Sequence, residues 1–503
     1  MTVGELLRAL ARAVGIDGQG VSGGPALERA CAGVTHDSRR VVPGAVFVAL
    51  RGVKADGAAF VPQAIAAGAS AIVSDGQPAA PVDVPWIVVP DARLALALLA
   101  AECFGHPSRQ LQVVGITGTN GKTTTAYLVS AILEAAGVKC GLMGTVTYRL
   151  GDRSFDATRT TPEAPDLQGY MREMVSSGCR ACAMEVSSHA LAFKRVDGIR
   201  FSAGVFTNLT RDHLDFHAGM DDYFAAKRRL FEMLPDEAPA VINADDPRGA
   251  SLVDLVRRPI TYGVNRPADV SPGPLSYSLD GLRFDIRSPS GSIHVRSKLV
   301  GRPNVYNILA AVATTAELGV AIPAIEHGLE RLEGVPGRFE VVSGSIDDVT
   351  VVVDYAHTDD ALRNLLETAR PMATRRLITV FGCGGDRDRT KRPLMGMVAA
   401  RLSDVVVITS DNPRSEDPNR IIEEIMRGAE AETRQSGAQV VIRPDRRDGI
   451  RDAVGMAGPG DVVLVAGKGH EAYQEVGGRT FAFDDVGVAK EALEARRVKS
   501  RAG

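Results

Sequence analysis

Aromatic residues are scarce in this chain: they make up 5% of its 503 residues, with a single tryptophan. So few rings argue against a surface on which successive nucleic-acid bases stack. Acidic and basic residues nearly balance, and the formal net charge is -3. This charge provides no electrostatic attraction to nucleic acid or to an anionic membrane. We therefore expect neither as a partner.

Long apolar runs are absent as well. No stretch approaches the ~20 residues of a membrane-spanning helix, and residues 1–10 do not have the basic segment and apolar run of a secretion signal. Six cysteines in a chain of this length are too few for a disulfide framework, and the one CxxC pair, Cys179 with Cys182, is weak evidence for a redox or metal site. We expect a cytoplasmic protein.

The remaining composition, 45% hydrophobic and 24% charged, is typical of a soluble globular protein, and the length predicts roughly two to four domains. Residues 106–108 read as a linker, and residues 335–337 mark a second boundary. The predicted units are 1–106, 107–336 and 337–503. Alternating strands and helices in each predict an α/β fold, with a mostly parallel central sheet of the phosphate-loop type and a Rossmann-like C-terminal domain.

Hydrophobic patterns predict individual elements. The predicted strands are 45–50, 71–74, 86–89, 111–116, 140–148, 181–186, 204–208, 238–243, 260–263, 350–354, 377–381, 405–409, 439–443 and 462–466. The predicted helices are 6–14, 60–68, a helix that starts at residue 123, 167–177, 221–234, 304–318, 359–369 and 420–436. Polar and apolar residues alternate over 275–300, which indicates antiparallel hairpins.

The segment 117–124, TGTNGKTT, lies between a buried strand and an amphipathic helix. This order is typical of a phosphate-binding loop, in which backbone N–H groups and the helix N-terminus face the anion. Lys122 would reach the terminal phosphates, and the Thr123 hydroxyl would ligate Mg²⁺. The spacing departs from the common pattern, because Ile116 stands where that pattern has a glycine. The alternative is an ordinary glycine-rich turn.

Polar side chains follow two further predicted strands. Glu185 ends one strand and precedes Ser187, whereas Asn208 ends the next and precedes Asp212 and His213. The carboxyl ends of parallel strands meet at one crevice. A carboxylate and a histidine beside a phosphate loop therefore indicate a nucleotide and metal site.

Two other positions are ambiguous on local grounds. Ser38 and Arg39 lie in a loop and suit an anionic ligand, although a solvated turn explains them equally well. Lys227 lies on an amphipathic helix with Arg228 and Arg229. The simplest interpretation of these three residues is a solvated basic face.

Ten motifs occur in a fixed order through all three units, at 118–124, 160–163, 184–191, 207–217, 223–227, 301–307, 354–362, 381–395, 410–418 and 466–471. Together they resemble the Mur ligase family. Among its members, the chain is similar to the type that adds 2,6-diaminopimelate to UDP-N-acetylmuramoyl-L-alanyl-D-glutamate. That reaction uses ATP and Mg²⁺, passes through an acyl phosphate and serves peptidoglycan precursor synthesis. The resemblance also implies domains that bind the UDP substrate, ATP and the amino acid, in that order, in a chain that we expect to be a monomer.

The resemblance implies roles for individual residues. ATP is held by Gly118, Thr119, Asn120, Gly121, Lys122, Thr123, Thr124, Asn304, Asn307, Arg338 and Asp354. Thr123, Glu185, His213 and Lys227 belong to the Mg²⁺ site, with Lys227 as an N6-carboxylysine, and Lys122, Lys227, His213 and Glu185 are the catalytic set. The UDP substrate contacts Ser38, Thr160, Thr161, Ser187 and Arg195. Similar enzymes can carry a glutamine at the position of Phe193, so one polar contact is absent or comes from elsewhere.

The segment 411–414, DNPR, follows a predicted strand. Pro413 fixes the turn, and the Arg414 guanidinium offers a planar fork for a carboxylate. meso-Diaminopimelate carries a carboxylate at the end where L-lysine carries only an ammonium, so Arg414 favours diaminopimelate. The resemblance adds contacts from Arg387, Asp411, Asn412, Pro413, Gly467 and Glu471.

Three other functions remain open. A ligase similar to folylpolyglutamate synthetase shares the ATP-binding core, but it has no need for a UDP domain and DNPR does not suit it. A regulatory nucleotide switch would not need the C-terminal domain with its own motifs. A purely structural nucleotide-binding protein does not account for the ionisable residues at the strand ends.

Overall fold

The computed structural model describes residues 1–16, 25–52, 55–278 and 280–502. Within these ranges no helix combines the length and the apolar character that a membrane crossing needs. The strands fall into separate sheets that follow one another along the chain. The predicted α/β class is confirmed.

The first sheet has four parallel strands in the order β1-β2-β3-β4. Its elements are α1 Val3–Val14, α2 Pro25–Glu28, β1 Gly33–Thr35, β2 Ala45–Ala49, α3 Val61–Ala66, β3 Ala71–Ser74, β4 Trp86–Val88 and α4 Ala92–Cys103. Helix α1 begins at a capping box, in which Thr2 and Glu5 exchange hydrogen bonds with each other's backbone. Every residue of β2 is buried, as its apolar run predicts. Helix α4 was not predicted.

The central sheet has eight strands in the order β12-β11-β10-β5-β9-β6-β7-β8. Its elements are β5 Gln112–Thr117, α5 Lys122–Ala135, β6 Cys140–Met143, β7 Thr147–Leu150, β8 Arg153–Asp156, α6 Ala164–Ser176, β9 Ala181–Glu185, α7 Ser188–Ala192, β10 Ala203–Phe206, α8 Met220–Glu232, β11 Ala240–Asn243, α9 Gly249–Val253 and β12 Pro259–Tyr262. Strand β5 pairs in parallel with both β9 and β10. The segments that follow these three strands therefore share one edge of the sheet.

The single strand predicted over 140–148 is wrong. The chain turns after β6 and returns antiparallel as β7, which pairs in turn with β8. Gly144 permits this turn, because a Cβ at that position would lie 2.3 Å from Oε1 of Glu185. A pattern of apolar residues cannot reveal a turn that a distant carboxylate requires.

A smaller antiparallel sheet and two helices complete the middle of the chain. The elements are β13 Ser271–Pro272, β14 Ser276–Ser278, β15 Gly281–Ser288, β16 Gly291–Ser297, α10 Arg302–Glu317 and α11 Ile322–Arg331. Strand β15 pairs antiparallel with β13, β14 and β16, which confirms the predicted hairpins. Helix α11 lies close to α5, since a Cβ on Gly328 would be 2.5 Å from the Ile132 Cα.

The C-terminal sheet has six strands in the order β17-β18-β22-β19-β20-β21. Its elements are β17 Glu340–Val341, β18 Thr350–Asp354, α12 Asp359–Ala369, β19 Leu377–Phe381, α13 Lys391–Leu402, β20 Val405–Ile408, α14 Pro418–Ser436, β21 Gln439–Ile442, α15 Arg446–Met456, β22 Val462–Ala466, β23 Tyr473–Val476, β24 Arg479–Ala482 and α16 Asp485–Ala502. All its pairs are parallel except β17 with β18. The separate hairpin β23–β24 was not predicted.

Candidate active site

The loop between β5 and α5 has two positions that only glycine fits. Gly118 has φ +149°, and a Cβ there would lie 1.8 Å from the Thr207 hydroxyl oxygen. Gly121 has φ +87°, and its Cβ would lie 2.3 Å from Oδ1 of Asn307. Both backbone conformations are strained for residues with a side chain. Gly118 thus makes the tight turn that the sequence assigns to it.

Strand β10 holds this loop in place through the two residues that follow it. The Asn208 carbonyl accepts the Thr119 N–H at 2.8 Å, and its side-chain oxygen accepts the Asn120 N–H at 2.9 Å. Thr207 donates its hydroxyl to the Asn120 carbonyl at 2.6 Å. Hydrogen bonds to residues 207 and 208 therefore hold the loop in this conformation.

Two lysines converge on the same loop carbonyl. The Lys122 ammonium donates to the carbonyls of Gly118 at 2.9 Å and Thr119 at 2.7 Å. Lys227 donates to the Gly118 carbonyl at 2.7 Å. Burial lowers the pKa of Lys122. It also lowers that of Lys227 to well below the ordinary value, and the neighbouring Lys122 charge adds to this second effect.

Lys227 is not part of a solvated basic face, so that interpretation is wrong. Its side chain is 1% exposed and lies over the Tyr223 ring at 4.4 Å, on the face of α8 that packs inward. Arg228 is exposed and pairs with Glu232 on the outer face. Helical spacing alone places a residue on a face, but it does not show that a lysine is buried there.

Glu185 is buried at the end of β9 and is held by a residue that the sequence did not indicate. Its two carboxylate oxygens accept the Thr145 N–H at 2.7 Å and the Thr145 hydroxyl at 3.0 Å. The Thr145 hydroxyl also lies 3.1 Å from that of Thr160. Thr145 thereby links the predicted metal ligand to a predicted substrate contact.

His213 and Thr123 complete the donors of the predicted metal site. Burial lowers the pKa of His213 to about 3, which favours the neutral imidazole that binds metals. The Thr123 hydroxyl accepts a hydrogen bond from Arg338 at 3.0 Å. Among the described residues, no three or more His, Cys, Asp or Glu side chains group closely enough to hold a metal ion.

One cavity of about 1250 Å³ brings most of the predicted ATP and metal residues together. Its lining includes Thr119, Asn120, Gly121, Lys122, Thr123, Thr124, Glu185, His213, Lys227, Asn304, Asn307, Arg338 and Asp354. Gly118 belongs to the same loop but does not line the cavity. Thr145, Thr160, Ser187 and Asp212 also face this space.

The part of this cavity predicted to hold the nucleoside is built by α10 and the C-terminal domain. Asn307 donates to Asn304 at 2.9 Å, and Asn304 donates to the Val300 carbonyl at 2.8 Å. Asp354 accepts the N–H groups of Phe339 and Ala356, and burial raises its pKa. Arg338 lies over the Tyr355 ring at 4.6 Å. The C-terminal domain thus contributes directly to the wall of this cavity.

The predicted UDP-substrate residues fall into two places. Thr161 donates its hydroxyl to the Glu185 carbonyl at 2.8 Å and accepts the Ser187 N–H at 3.1 Å. Arg195 donates to the Thr161 carbonyl at 3.3 Å and pairs with Glu163 at 2.6 Å. Ser38 lies in the first domain, where its hydroxyl donates to Gln63. Residues 160, 161, 187 and 195 therefore form one cluster and Ser38 stands apart.

Phe193, where similar enzymes can have glutamine, contacts arginines. The Arg93 guanidinium lies 4.4 Å from the centre of its ring, and that of Arg195 lies at 5.6 Å. The next residue, Lys194, pairs with Asp91 at 2.6 Å. The ring therefore makes cation–π contacts with arginines of the first and second domains.

The predicted amino-acid residues assemble at the end of β20. Asn412 donates to Oε2 of Glu471 at 2.9 Å. Gly467 has φ +117°, and a Cβ there would lie 2.7 Å from Oδ2 of Asp411. These residues do not line the large cavity. The acidic side chains of Asp411 and Glu471 thus lie near each other, outside the large cavity.

Arg414 is held by the unpredicted hairpin. Its Nε pairs with Glu475 at 2.9 Å, its Nη1 donates to the Gly385 carbonyl at 2.8 Å, and its backbone has φ 52°. Arg387 is exposed, and both arginines flank Gly384. The protein therefore holds the Arg414 guanidinium in place, and its Nε is already paired with the Glu475 carboxylate.

Sequence reasoning missed three residues of these sites: Thr145, Lys468 and Glu475. Thr145 was hidden inside a strand that proved to be a turn. Lys468 and Glu475 lie within or just after the motif AGKGHE. Only the lysine had an available signal, since it lies inside that motif, two positions after the apolar run 462–466.

Comparison with known proteins agrees with this arrangement. The family model described as "Mur ligase family, catalytic domain" matches residues 31–103, "Mur ligase middle domain" matches 116–315, and "Mur ligase, glutamate ligase domain" matches 337–469. These three segments coincide with the first, central and C-terminal sheets.

Two curated relatives carry the name UDP-N-acetylmuramoyl-L-alanyl-D-glutamate–2,6-diaminopimelate ligase. The protein of Geobacter metallireducens is 48% identical over 90% of this chain and 92% of its own length. That of Solibacter usitatus is 48% identical over 92% of this chain and 93% of its own. A solved structure of a ligase with the same name is 33% identical, with a TM-score of 0.68, and covers 99% of this chain and 100% of its own. The chain belongs to the Mur ligase family.

Proposed function

We propose that this chain is an ATP-dependent ligase that adds meso-2,6-diaminopimelate to UDP-N-acetylmuramoyl-L-alanyl-D-glutamate in peptidoglycan precursor synthesis. One observation carries the proposal. A phosphate loop with Lys122 shares a cavity with Glu185, His213, Lys227 and Arg338, while a separate cluster of acids and arginines lies at the end of β20. The names of the 48% identical relatives support the same reaction.

The three domains have distinct tasks in this proposal. Residues 1–106 bind the UDP moiety, 107–336 bind ATP and 337–503 bind the amino acid. The matched family segments and the separate sheets support these boundaries. The reacting groups then meet where the three domains adjoin.

The reaction forms an amide in two steps. A carboxylate oxygen of the D-glutamyl side chain attacks the γ-phosphorus of ATP, so that the bond to ADP breaks and an acyl phosphate forms. The amine of diaminopimelate then attacks the acyl carbon, and phosphate leaves with the oxygen that came from the carboxylate. Because the first step brings two anions together, Lys122 and the loop N–H groups are needed to offset their repulsion.

Mg²⁺ is the metal that suits the donors of this cavity. Thr123, Glu185 and His213 would hold it, and it would supply positive charge near the triphosphate. Lys227 can join them only as a carbamate, since an ammonium has no lone pair for a metal. The carbamate is supported by the position of Lys227, which is buried and in contact with the loop at Gly118.

The polar cluster around Thr161 would receive the peptide end of the UDP substrate. Thr160, Ser187 and Arg195 lie beside Glu185, where the attacking carboxylate has to be placed. Ser38 would contact the same substrate from the first domain. We place the enzyme in the cytoplasm as a monomer, a location that agrees with six free cysteines among the described residues.

A four-way assay tests this function. ADP release is measured with the UDP-dipeptide and diaminopimelate together, with each alone, and with neither. The proposal expects ADP only when both are present, together with a UDP-tripeptide product. Equal ADP release without the amino acid would contradict ligation.

Arg414→Ala is expected to weaken the selection for diaminopimelate over L-lysine. A hydrogen-bonded charge pair contributes roughly 1.5–3 kcal/mol, so the ratio of kcat/KM for the two amino acids should fall about ten- to a hundredfold. The measurement is kcat/KM with each amino acid at saturating ATP and UDP-dipeptide.

Arg401→Ala is the matched control for this variant. Arg401 is an exposed arginine of the same domain that pairs with Glu432 on the surface. Its replacement should leave the ratio unchanged. A parent enzyme that uses lysine as well as diaminopimelate, or an Arg414→Ala variant with an unaltered ratio, would show that Arg414 does not select the substrate.

A further inference from the structure

Lys468 is a fully buried lysine at the amino-acid cluster, and nothing in the reaction described so far uses it. Its side chain is 0% exposed. It immediately follows Gly467, at the end of β22, which is the strand paired with β18 and β19. A buried ammonium needs partners to offset the cost of leaving water.

The partners of Lys468 are the side chains proposed to bind diaminopimelate. Its ammonium donates to Oδ1 of Asn412 at 3.0 Å and to Oε2 of Glu471 at 3.2 Å. Oδ1 of Asp411 lies 3.9 Å away. Asn412 donates in turn to the same Oε2 of Glu471. The described hydrogen bonds of the Glu471 carboxylate therefore fall on one oxygen, Oε2.

The charges of this cluster require a cation at position 468. Arg446 is committed to Asp485 in a fully buried pair at 2.6 Å, and Arg414 is committed to Glu475. Asp411 and Glu471 then have Lys468 as the cation within 4 Å. Burial raises the pKa of Glu471, whereas Lys468 and Asn412 act to lower it.

We propose that Lys468 is a positioning residue of the amino-acid site, whose ammonium fixes Asn412 and Glu471 and keeps the Glu471 carboxylate charged for the distal ammonium of diaminopimelate. The inference rests on the proposed function, because it assigns the ligand of that site. Removing one partner of a buried ion pair can also lower stability, so the positioning role is tested through substrate binding and its dependence on pH.

The groups that face Glu471 from the surrounding elements are Lys468, Asp411, Asn412, Tyr355, Tyr473 and Arg446. Removing the Lys468 charge takes away an effect that lowers the pKa of Glu471, while burial and the Asp411 carboxylate continue to raise it. Glu471 would then keep its proton to a higher pH than in the parent. Binding of diaminopimelate should follow the ionised form.

The test compares KM for meso-diaminopimelate in the parent, Lys468→Met and Lys468→Arg. For Lys468→Met we expect a KM about tenfold or more above that of the parent near pH 7. The ratio of the two KM values should then fall at least about threefold between pH 7 and pH 9. Lys468→Arg keeps the charge, so its ratio should not change with pH. KM for ATP and for the UDP-dipeptide should stay within about twofold, since those sites lie in another cavity.

A ratio for Lys468→Met that is constant with pH, or an unchanged KM, would overturn the inference. Thermal melting and circular dichroism check that both variants fold. If neither variant folds, the test uses the parent enzyme alone. Its KM for diaminopimelate, corrected for the ionisation of diaminopimelate itself, should not change between pH 7 and 9. Weaker binding of diaminopimelate by the parent towards pH 7 would contradict the role of Lys468. If the parent enzyme forms no ADP with diaminopimelate, the proposed function itself is wrong. This outcome is distinguishable from a failure of the Lys468 inference, because it is seen before any variant is measured.

Discussion

Lys227→Ala is expected to lose ligation by at least about a hundredfold, because a buried group beside the phosphate loop acts on charge that develops during phosphoryl transfer. Lys227 contacts the Gly118 carbonyl and lies within the cavity that holds Glu185 and His213. If its active form is the carbamate, the alanine variant loses an oxygen-donor anion. Formate, acetate or bicarbonate should then restore part of the rate, since a small carboxylate can occupy the vacated space.

The neighbouring residue provides the control for this rescue. Arg228 lies on the same helix but faces solvent. Arg228→Ala should keep the parent rate, and added acids should not increase it. Near-normal activity of Lys227→Ala would show that the buried lysine has no catalytic part. Loss of activity without rescue by any small acid would leave a role for the amine and contradict the carbamate.

Lys122→Ala is expected to lower the rate of ADP formation by at least about a hundredfold, as for Lys227→Ala, with little loss of folded protein. The Lys122 ammonium touches two loop carbonyls and faces the cavity, and it packs against no apolar core. The melting temperature should therefore stay within about 3 °C of the parent. Isothermal titration should show that the substitution weakens the binding of ATP more than the binding of AMP. Only ATP has the terminal phosphates that Lys122 reaches.

Lys139→Ala is the matched control, because Lys139 lies near the surface and pairs with Asp152. This variant should bind and use ATP like the parent. If Lys122→Ala still releases ADP at the parent rate, the loop is not the phosphate site. A melting temperature lowered by much more than the control would instead indicate a structural part for Lys122.

The turn between β5 and α5 was predictable because its determinants are local. A buried strand, two glycines and an amphipathic helix lie within about two dozen consecutive residues, and Gly118 and Gly121 have the positive φ values that this turn needs. The strands that end at Phe381 and Ala466 were predicted at both ends, because each is a short apolar run closed by polar residues or glycine.

Features that depend on distant partners were not predictable. Position 144 needs a glycine because Glu185, far along the chain, occupies the adjacent space. The hairpin β23–β24 has few buried residues, so its alternation is weak, and it is held by contacts to 411–414. Local pattern alone indicated a solvated Lys227, since helical spacing does not show that a lysine packs against a tyrosine ring and a loop carbonyl.

An isotope experiment tests the central claim most directly. The UDP-dipeptide is prepared with ¹⁸O in both oxygens of the D-glutamyl side-chain carboxylate and is turned over with ATP and meso-diaminopimelate. Attack of that carboxylate on ATP predicts one ¹⁸O in each phosphate released and the other in the new amide. Phosphate without ¹⁸O would mean that water attacks the nucleotide, and it would contradict the account of this protein as a ligase.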